Sequence, residues 1–500
     1  MVYILANDNR IKTQDPYELV RAFYGDGDIE IIDMDKRDPT TLNSETVSIS
    51  IEGDVYKVSL LRGNTLIDSE QMSYHQKDFY RGETASRNNT VKHLIYKILS
   101  RKLDTELPWG ILTGIRPVKV SKMLMDKGLA QEDAIDILVD SYLLREDKAR
   151  LITDVSLNQN PILDALKKNS YSIYVGIPFC PTRCFYCSFP TLITHKNKDI
   201  MEEYVNSLIE ELEDTCSMMG SWDLNTVYIG GGTPTSLPKE LMERLLDYIN
   251  TRFEGIKELT VEAGRPDTID REYIELLKNH KVNRISINPQ TMDDVTLSII
   301  GRNHSAKDII YAYTLSKDIG IETVNMDLIV GLPGENRTNM EETLRTIRSL
   351  EPDNLTVHTL AVKKGSEFIL DKGKYPIASG DEIQEMLYLA SEFAKENKMI
   401  PYYLYRQKQI LGNFENIGYS KKNNPCLYNV SIMEEKETII GIGMGSTSKF
   451  YNKMEDSIDT FANFRSIRDY LGRLPEQKTL KRQKINKIEK SWCKLDLDTK

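Results

Sequence analysis

Three thiols within eight residues are the strongest chemical signal in this chain. They are Cys180, Cys184 and Cys187, spaced C-x3-C-x2-C inside YVGIPFCPTRCFYCSFP (174–190). The segment follows an apolar strand pattern, is interrupted by prolines and carries no helical stripe. It therefore reads as a loop able to wrap a metal group. Three thiolates suit a soft metal. A structural zinc wants four closed ligands, and His195, eight residues on, is available as a fourth. No second CxxC exists to complete such a site in the usual paired form. Three ligands without a fourth also suit a 4Fe-4S cluster with one open iron, which can bind a small molecule directly. Cys216 continues an apolar helix face and reads as packing, while Cys426 and Cys493 are isolated and read as ordinary thiols.

Other residues with chemical potential fall at or near strand ends. Gly230, Gly231 and Gly232 follow TVYI. Glycines there let the backbone approach a ligand closely, and a plain tight turn accounts for only one of the three. Glu262 closes the next strand between Val261 and Ala263. Asp327 lies mid-strand between Met326 and Leu328, where an unpaired acid is costly to bury. Arg302 can supply a charge-assisted bond to a carboxylate. GIGMGS (441–446) is not a G-x-G-x-x-G fingerprint and has no βαβ unit with a downstream acid, so dinucleotide binding is poorly supported.

The elements that must position these residues are βα repeats. SIYVGI (172–177), NTVYIGGG (225–232), ELTVEAG (258–264), RISINPQ (284–290), TVNMDLIVGLP (323–333) and NLTVHTLAV (354–362) read as six strands separated by helical patterns. Val/Ile-rich strands in that rhythm predict an α/β fold with a parallel sheet wound as an open or closed βα barrel. Barrel ligands gather at the C-terminal strand ends, where these residues sit. Before this core, residues 45–72 alternate apolar and polar positions and predict an antiparallel meander. Residues 90–102 carry a helical stripe. Beyond it, ETIIGIGMGS (437–446) reads as a strand, and the Lys-rich stretch from Gln477 reads as a helix or frayed tail. The expected organisation is an accessory α+β domain (1–165), the core (166–385), a C-terminal α+β lobe on the substrate side (386–476) and the Lys-rich tail (477–500).

Composition narrows the partners. Lys and Arg number 65 against 75 Asp and Glu, a net charge of −10, which repels phosphate backbones and makes nucleic acid an unlikely main partner. No apolar run approaches the length of a membrane span. The first residues turn polar after six positions, unlike a secretory signal peptide. Few cysteines with one cluster suggest a reduced, cytoplasmic setting.

The cysteine motif, with an aromatic before its third cysteine, resembles the signature of the radical S-adenosylmethionine (SAM) superfamily. YVGIPF is similar to the YxHIPF of its oxygen-independent coproporphyrinogen III oxidase branch. PWGILTGIRP (108–117), ISINPQTM (285–292) and PYYLYRQK (401–408) look more like the longer HemZ-type coproporphyrinogen dehydrogenases, which extends the resemblance over nearly the whole chain. It implies a partial (β/α)6-type barrel, with Cys180, Cys184 and Cys187 on a 4Fe-4S cluster. It further implies SAM contacts from Tyr174, Tyr186, Gly231, Gly232, Thr233, Glu262, Gln290, Arg302, Asp327 and Ala361. For either tyrosine the plain alternative is core packing. For Glu262 it is a surface acid, and for GIGMGS a structural turn instead of a substrate-cavity motif.

The resemblance implies anaerobic oxidative decarboxylation by a 5′-deoxyadenosyl radical. Two propionates of coproporphyrinogen III become vinyls, giving protoporphyrinogen IX. A low-potential electron donor such as a flavodoxin or ferredoxin would be a partner, and the tetrapyrrole the substrate. Arg183, Arg265, Lys363, Lys364, Arg406 and Lys408 are candidates to meet its carboxylates. Two departures stand out: Phe189 occupies the place of a common fourth cysteine, and Gly176 that of the histidine in YxHIPF. Relatives that bind or transfer haem also have a phenylalanine after the cluster, but their HNxxYW motif is absent. Porphyrin ring opening or methyl transfer is a third reading on the same scaffold.

Overall fold

The computed structural model describes residues 1–6, 10–25, 27–32, 44–74, 79–189, 191–363, 366, 375–408 and 410–498, with side chains as far as 490. Lys364 and the side chain of Cys493 lie outside the described residues. The chain forms two compact units. One comprises Met1–Leu157, Leu404–Lys408 and Asn413–Glu415; the other comprises Asn158–Tyr403, Gln409–Gly412 and Asn416–Lys500.

The first unit is built on a five-stranded mixed sheet whose order is β2 (Ile29–Ile32), β1 (Val2–Ala6), β3 (Glu45–Glu52), β4 (Val55–Arg62) and β5 (Thr65–Ser73). Strands β3 (Glu45–Glu52), β4 (Val55–Arg62) and β5 (Thr65–Ser73) form the expected antiparallel meander. The alternation works because Val47 and Ile49 pair with Leu60 and Val58, and all four are buried. The sheet gains two strands absent from the sequence-based expectation, β1 (Val2–Ala6) and β2 (Ile29–Ile32), with β1 parallel to both β2 and β3. Their runs are too short to show periodicity alone. Helices α1 (Gln14–Tyr24) and α2 (Glu83–Leu103) pack together, and Val91, Leu94, Ile95, Ile98 and Leu99 of α2 are buried. Three more helices follow: α3 (Val118–Asp126), α4 (Gln131–Asp140) and α5 (Glu146–Asp164).

The second unit carries the six expected strands: β6 (Ser170–Ile177), β9 (Asp223–Gly231), β10 (Glu258–Glu262), β11 (Arg284–Ser286), β12 (Thr323–Val330) and β13 (Asn354–Thr359). The two-residue strands β7 (Phe179–Cys180) and β8 (Leu192–Ile193) lie in the first connection. The six are adjacent and parallel, each linked to the next by helical segments, from α6 (Lys198–Met218) to α11 (Arg337–Arg348). Between these lie α7 (Lys239–Arg252), α8 (Arg271–Asn279), α9 (Asp294–Ile299) and α10 (Ala306–Ile319). Side-chain caps fix helix starts where the chain leaves a strand, as in the reciprocal Asn336–Asn339 box of α11 after β12.

After β13 the chain adds α12 (Gly380–Glu396), β14 (Met399–Tyr405), β15 (Asn416–Lys421), α13 (Leu427–Glu434), β16 (Thr438–Ile442), β17 (Thr447–Asn452) and β18 (Ser457–Ala462). Strand β15 pairs antiparallel with β13, while β16 returns to pair parallel with β6 on the side opposite β9. The result is an open sheet of eleven strands with the six-strand βα core inside it, a partial barrel. Helix α14 (Ile467–Gly472) precedes α15 (Leu474–Asp498), which contains the Lys-rich stretch and packs on α6 and β17 with Gln477, Lys481, Ile485 and Ile488 buried. Among the described residues, no helix is long and apolar enough to cross a membrane.

Candidate functional site

Nearly every residue of the six core strands is buried except at a few inward positions. Tyr174 on β6, Tyr228 on β9, Glu262 on β10, Asn325 and Asp327 on β12 and His358 on β13 each keep partial exposure among buried neighbours. A residue in the middle of a sheet stays accessible only if it faces a hollow. These polar and phenolic side chains therefore line one concavity on a wall of buried Val, Ile and Leu.

The cysteine loop leaves β6 at this hollow. Phe179–Cys180 bridges Leu192–Ile193 and closes the loop at its base. The Cys187 amide donates to the Cys184 carbonyl at 3.0 Å, making a turn that keeps these two thiols together. Cys180 is buried, and Cys184 and Cys187 are half-buried. Burial pushes the Cys180 thiol up to about 11, against the hydrogen bond from Thr233, and burial also raises Cys187. Metal binding here would release protons, since only thiolates ligate. Among the described residues, no three His, Cys, Asp or Glu side chains converge closely enough to hold a single ion. His195 is exposed on a short turn, Thr194–Lys196.

Each glycine of the GGG run faces an obstacle that forbids a side chain. Gly231 has φ +114°, and its amide donates to Glu262 Oε2 at 3.1 Å. A Cβ on Gly232 would stand 2.7 Å from the Phe179 carbonyl and 2.9 Å from Cys180 Sγ. The glycine loop and the cysteine loop are thus in direct contact. Thr233 joins them from the same turn, its hydroxyl donating to Cys180 Sγ at 3.5 Å.

Glu262 also accepts the Tyr228 hydroxyl at 2.7 Å. Burial raises its carboxyl to about 7; the Tyr228 and Gly231 hydrogen bonds pull it down, and Asp327 pushes it up. Tyr228, Tyr174 and Tyr428 form a near-parallel cluster, with centroids 4.5 Å apart for Tyr228–Tyr428, 6.2 Å for Tyr174–Tyr228 and 6.0 Å for Tyr174–Tyr428. Tyr228 and Tyr428 join the site without a sequence motif that names them. The inward alternation of β9 marks Tyr228, but nothing local marks Tyr428, which arrives on the first turn of α13.

Gln290 adopts φ +67°, held by its amide donating to the Asp327 carbonyl at 2.8 Å and by Ile329 N donating to its own carbonyl at 2.9 Å. Asp327 accepts Asn325 Nδ2 at 2.7 Å and lies 3.8 Å from His358 Nε2. Arg302 Nη1 donates to the carbonyls of Gly264 and Asn288, and Nη2 reaches Tyr186 at 3.4 Å. Burial works against its charge, but Tyr186 and Cys184 beside it hold it above the ordinary arginine value. Ala361 lies just past β13, where it bridges Ile410.

Two buried polar atoms in this set, Gln290 Oε1 and Arg302 Nε, have no hydrogen-bond partner. Such orphans are costly unless a ligand or water completes them. Together with the glycine cradle and the half-exposed Glu262 and Asp327, they fit a polar cofactor beside the thiols.

The six cationic candidates for substrate carboxylates separate. Arg265 is buried, with its guanidinium on Asp267 and Thr182. Arg406 is buried in the first unit on the carbonyls of Leu112 and Asn413 and over the Trp109 ring. Lys408 pairs with Glu18 at 3.1 Å, also in the first unit. These three have other employment. Arg183 is exposed on the cysteine loop, and Lys363 is half-buried, its charge disfavoured by burial and favoured by nearby Cys187.

A parallel βα sheet with three thiols and an unfinished polar pocket at one hollow defines a class, and comparison with known proteins agrees. Residues 174–347 match the radical SAM superfamily. The chain is 38% identical to the oxygen-independent coproporphyrinogen-III oxidase-like protein HemZ of Bacillus subtilis (strain 168), over 84% of each chain. It is 32% identical to the haem chaperone HemW of the same organism, over 55% of this chain and 70% of that one. The coproporphyrinogen III oxidase HemN of Escherichia coli, a radical SAM enzyme, shares the fold with a TM-score of 0.51 at 20% identity, over 65% of this chain and 73% of that one. The chain belongs to the radical SAM superfamily and, within it, to the group of coproporphyrinogen III oxidase-like proteins. Its cofactors are those of the superfamily, a 4Fe-4S cluster and SAM.

Proposed function

We propose that this protein is an anaerobic coproporphyrinogen III oxidase, converting two propionates of the substrate to vinyls and yielding protoporphyrinogen IX. The observation that carries the reading is the partly exposed polar set of Glu262, Asn325, Asp327 and His358, of which Glu262 holds the glycine loop that touches Cys180. When bound, the cluster and SAM would supply the one-electron chemistry that removes a hydrogen atom from a propionate. Each propionate then loses CO₂ and one electron to an acceptor.

Cys180, Cys184 and Cys187 would hold the cluster. Gly231, Gly232, Thr233, Glu262, Gln290, Arg302 and Asp327 would hold SAM, with Tyr174 and Tyr186 against it and Ala361 at its adenine. The residues' own work is to bind, orient and exclude water, which keeps a reactive species from side reactions. Arg183 and Lys363 are the cations best placed to meet substrate carboxylates. A charge-assisted bond from each contributes about 1.5–3 kcal/mol. A flavodoxin or ferredoxin would donate electrons, and the setting would be the cytoplasm.

A haem-chaperone reading has one specific support. Phe189, directly after the cysteine loop, is 61% exposed and offers an apolar contact to a macrocycle. The deciding experiment is anaerobic incubation of the cluster-loaded protein with SAM, a reductant and coproporphyrinogen III, followed by mass spectrometry. Protoporphyrinogen IX with two CO₂ and two consumed SAM per molecule is the expected result. Micromolar or tighter haem binding with no vinyl product would replace the oxidase reading with the chaperone.

A further inference from the structure

We propose that Arg265 is a positioning residue that locks the cysteine loop in shape before any cluster is present. The inference rests on the reading that Cys180, Cys184 and Cys187 are the cluster ligands. Arg265 follows β10 and is 3% exposed. Its Nε and Nη2 donate to the two oxygens of Asp267 at 3.0 and 2.9 Å, a bidentate fork. The remaining arm, Nη1, donates to Thr182 Oγ1 at 2.8 Å, between the first and second cysteines.

Thr182 passes the restraint on, its hydroxyl donating to the Gly301 carbonyl at 3.2 Å. One residue past Cys184, the Phe185 amide donates to the Ile300 carbonyl at 3.1 Å. His304 Nδ1 lies 3.4 Å from Asp267 Oδ1. The backbone of Arg265 is fixed as well, because its carbonyl accepts the Thr268 amide at 3.0 Å and the Thr268 hydroxyl at 2.8 Å. Thr268 also meets Thr235, just beyond the glycine loop, at 2.6 Å. Arg265 thus ties the segment after β10 to the cysteine loop through its side chain, while its backbone carbonyl and Thr268 connect it to the segment after β9.

A guanidinium is needed for this. It is planar and always charged, and it can grip a carboxylate with two arms while a third points elsewhere; a lysine ammonium can hold only part of that geometry. The benefit is entropic, since a loop already ordered loses little freedom when its thiols take up metal. Nε, Nη1 and Nη2 of Arg265 are all committed within this network, which is why Arg265 does not serve as a substrate contact.

The test compares the parent with Arg265→Lys, Thr182→Val and Thr182→Ser in the full chain. In the cluster-free protein, amide hydrogen exchange across residues 179–187 should quicken about fivefold or more in Arg265→Lys and Thr182→Val. Exchange elsewhere in the second unit should stay at the parental rate. Thr182→Ser, which keeps the hydroxyl, should behave as the parent. After anaerobic loading with ferrous iron and sulfide, the first two variants should lose iron to a chelator about fivefold faster and show a broadened EPR signal of the reduced cluster. Parental exchange in the loop of both variants overturns the proposal, as does acceleration spread evenly over the unit. If Arg265→Lys does not fold, the Thr182 pair decides alone. If the parent itself takes up no iron, the cysteine reading fails, and the exchange comparison still decides the clamp.

Discussion

Two glycine loops flank β6, one after β9 and one after β16, and they are finished in opposite ways. At the first, Gly231 points its amide to Glu262, whose carboxyl is raised by burial, and nearby Gln290 and Arg302 keep orphaned polar atoms. At the second, Gly443 also has a positive φ, and its Cβ would stand 2.6 Å from the Gly176 carbonyl. There the buried Glu211 accepts the Gly443 amide at 2.8 Å, Tyr470 at 2.7 Å, Asn463 at 2.9 Å and the ammonium of Lys481. Lys481 donates onward to the Gly441 carbonyl, and the Met444 amide reaches Tyr204 at 2.9 Å. Similar glycine-rich sequences therefore serve different ends. At the second loop the carboxylate is complete and only Asn463 Oδ1 beside it is left over, which marks a joint of the fold; at the first the carboxyl itself stays partly exposed among orphaned neighbours, which marks a place that expects a ligand.

The comparison is broken most directly at the joint. Lys481→Met leaves Glu211 buried without its cation, and losing one partner of a buried pair costs about 3–5 kcal/mol. Urea or thermal denaturation of the cofactor-free chain should show that loss. A parental midpoint would mean that Tyr470, Asn463 and the Gly443 amide suffice and that α15 is dispensable to the loop.

The thiols come next. Cys180→Ser, Cys184→Ser and Cys187→Ser should each reduce iron after reconstitution from about four per chain to near none. Cys216→Ala and Cys426→Ala should retain it. Cys426 Sγ donates to Glu258 at 3.3 Å, and Cys216 is half-buried against the Arg252 carbonyl at 3.5 Å. Iron analysis and the visible spectrum separate the two groups. Full loading of Cys187→Ser would remove that residue from the ligand set.

These residues also show where sequence reading succeeds and stops. The six strands, the cysteine loop and the exceptional position of Asp327 are legible because alternation and spacing are local. Gly230 to Gly232 stand out because only close approach explains three glycines together. The Glu211–Lys481 joint is illegible: Glu211 sits within α6 in an acidic run, and Lys481 in a Lys-rich stretch, 270 residues apart. Arg265 and Arg406 look like available cations in the sequence; Arg265 is taken by Asp267 two residues on and by the distant Thr182, and Arg406 by Asn413 and the distant Leu112. Tyr428 is invisible for the same reason, since a pattern reports which face a residue takes and not which distant side chain it meets.

The site variants should spare the fold. Glu262→Gln and Gln290→Ala should lower the unfolding free energy by no more than about 1 kcal/mol, because neither removes a satisfied buried charge. Each should weaken SAM binding to the cluster-loaded protein about tenfold or more, as expected for the loss of one good hydrogen bond to a charged ligand. Equilibrium dialysis measures this without turnover. Undiminished binding in both would detach the polar set from the cofactor.

The last expected effect, the most gradual to read, is a pH dependence. The Glu262 carboxyl rises from an ordinary 4.5 to about 7 in the folded chain, chiefly through burial. Between those values the folded state holds a proton that the unfolded state has released. Stability from this group is therefore present in full below about pH 4.5, falls as pH rises through 7, and levels off beyond. Glu335, buried and hydrogen-bonded to Thr291, is also raised to about 7 by burial and adds a slope of the same sign. Thermal midpoints of the cofactor-free chain from pH 5 to 8.5 should decline. Glu262→Gln should remove one part of the decline and Glu335→Gln another, with both variants gaining relative to the parent at pH 8. An unchanged slope in Glu262→Gln would mean that its carboxyl is not held protonated by the fold. The contrast between the two glycine loops would then rest on Gln290 and Arg302 alone.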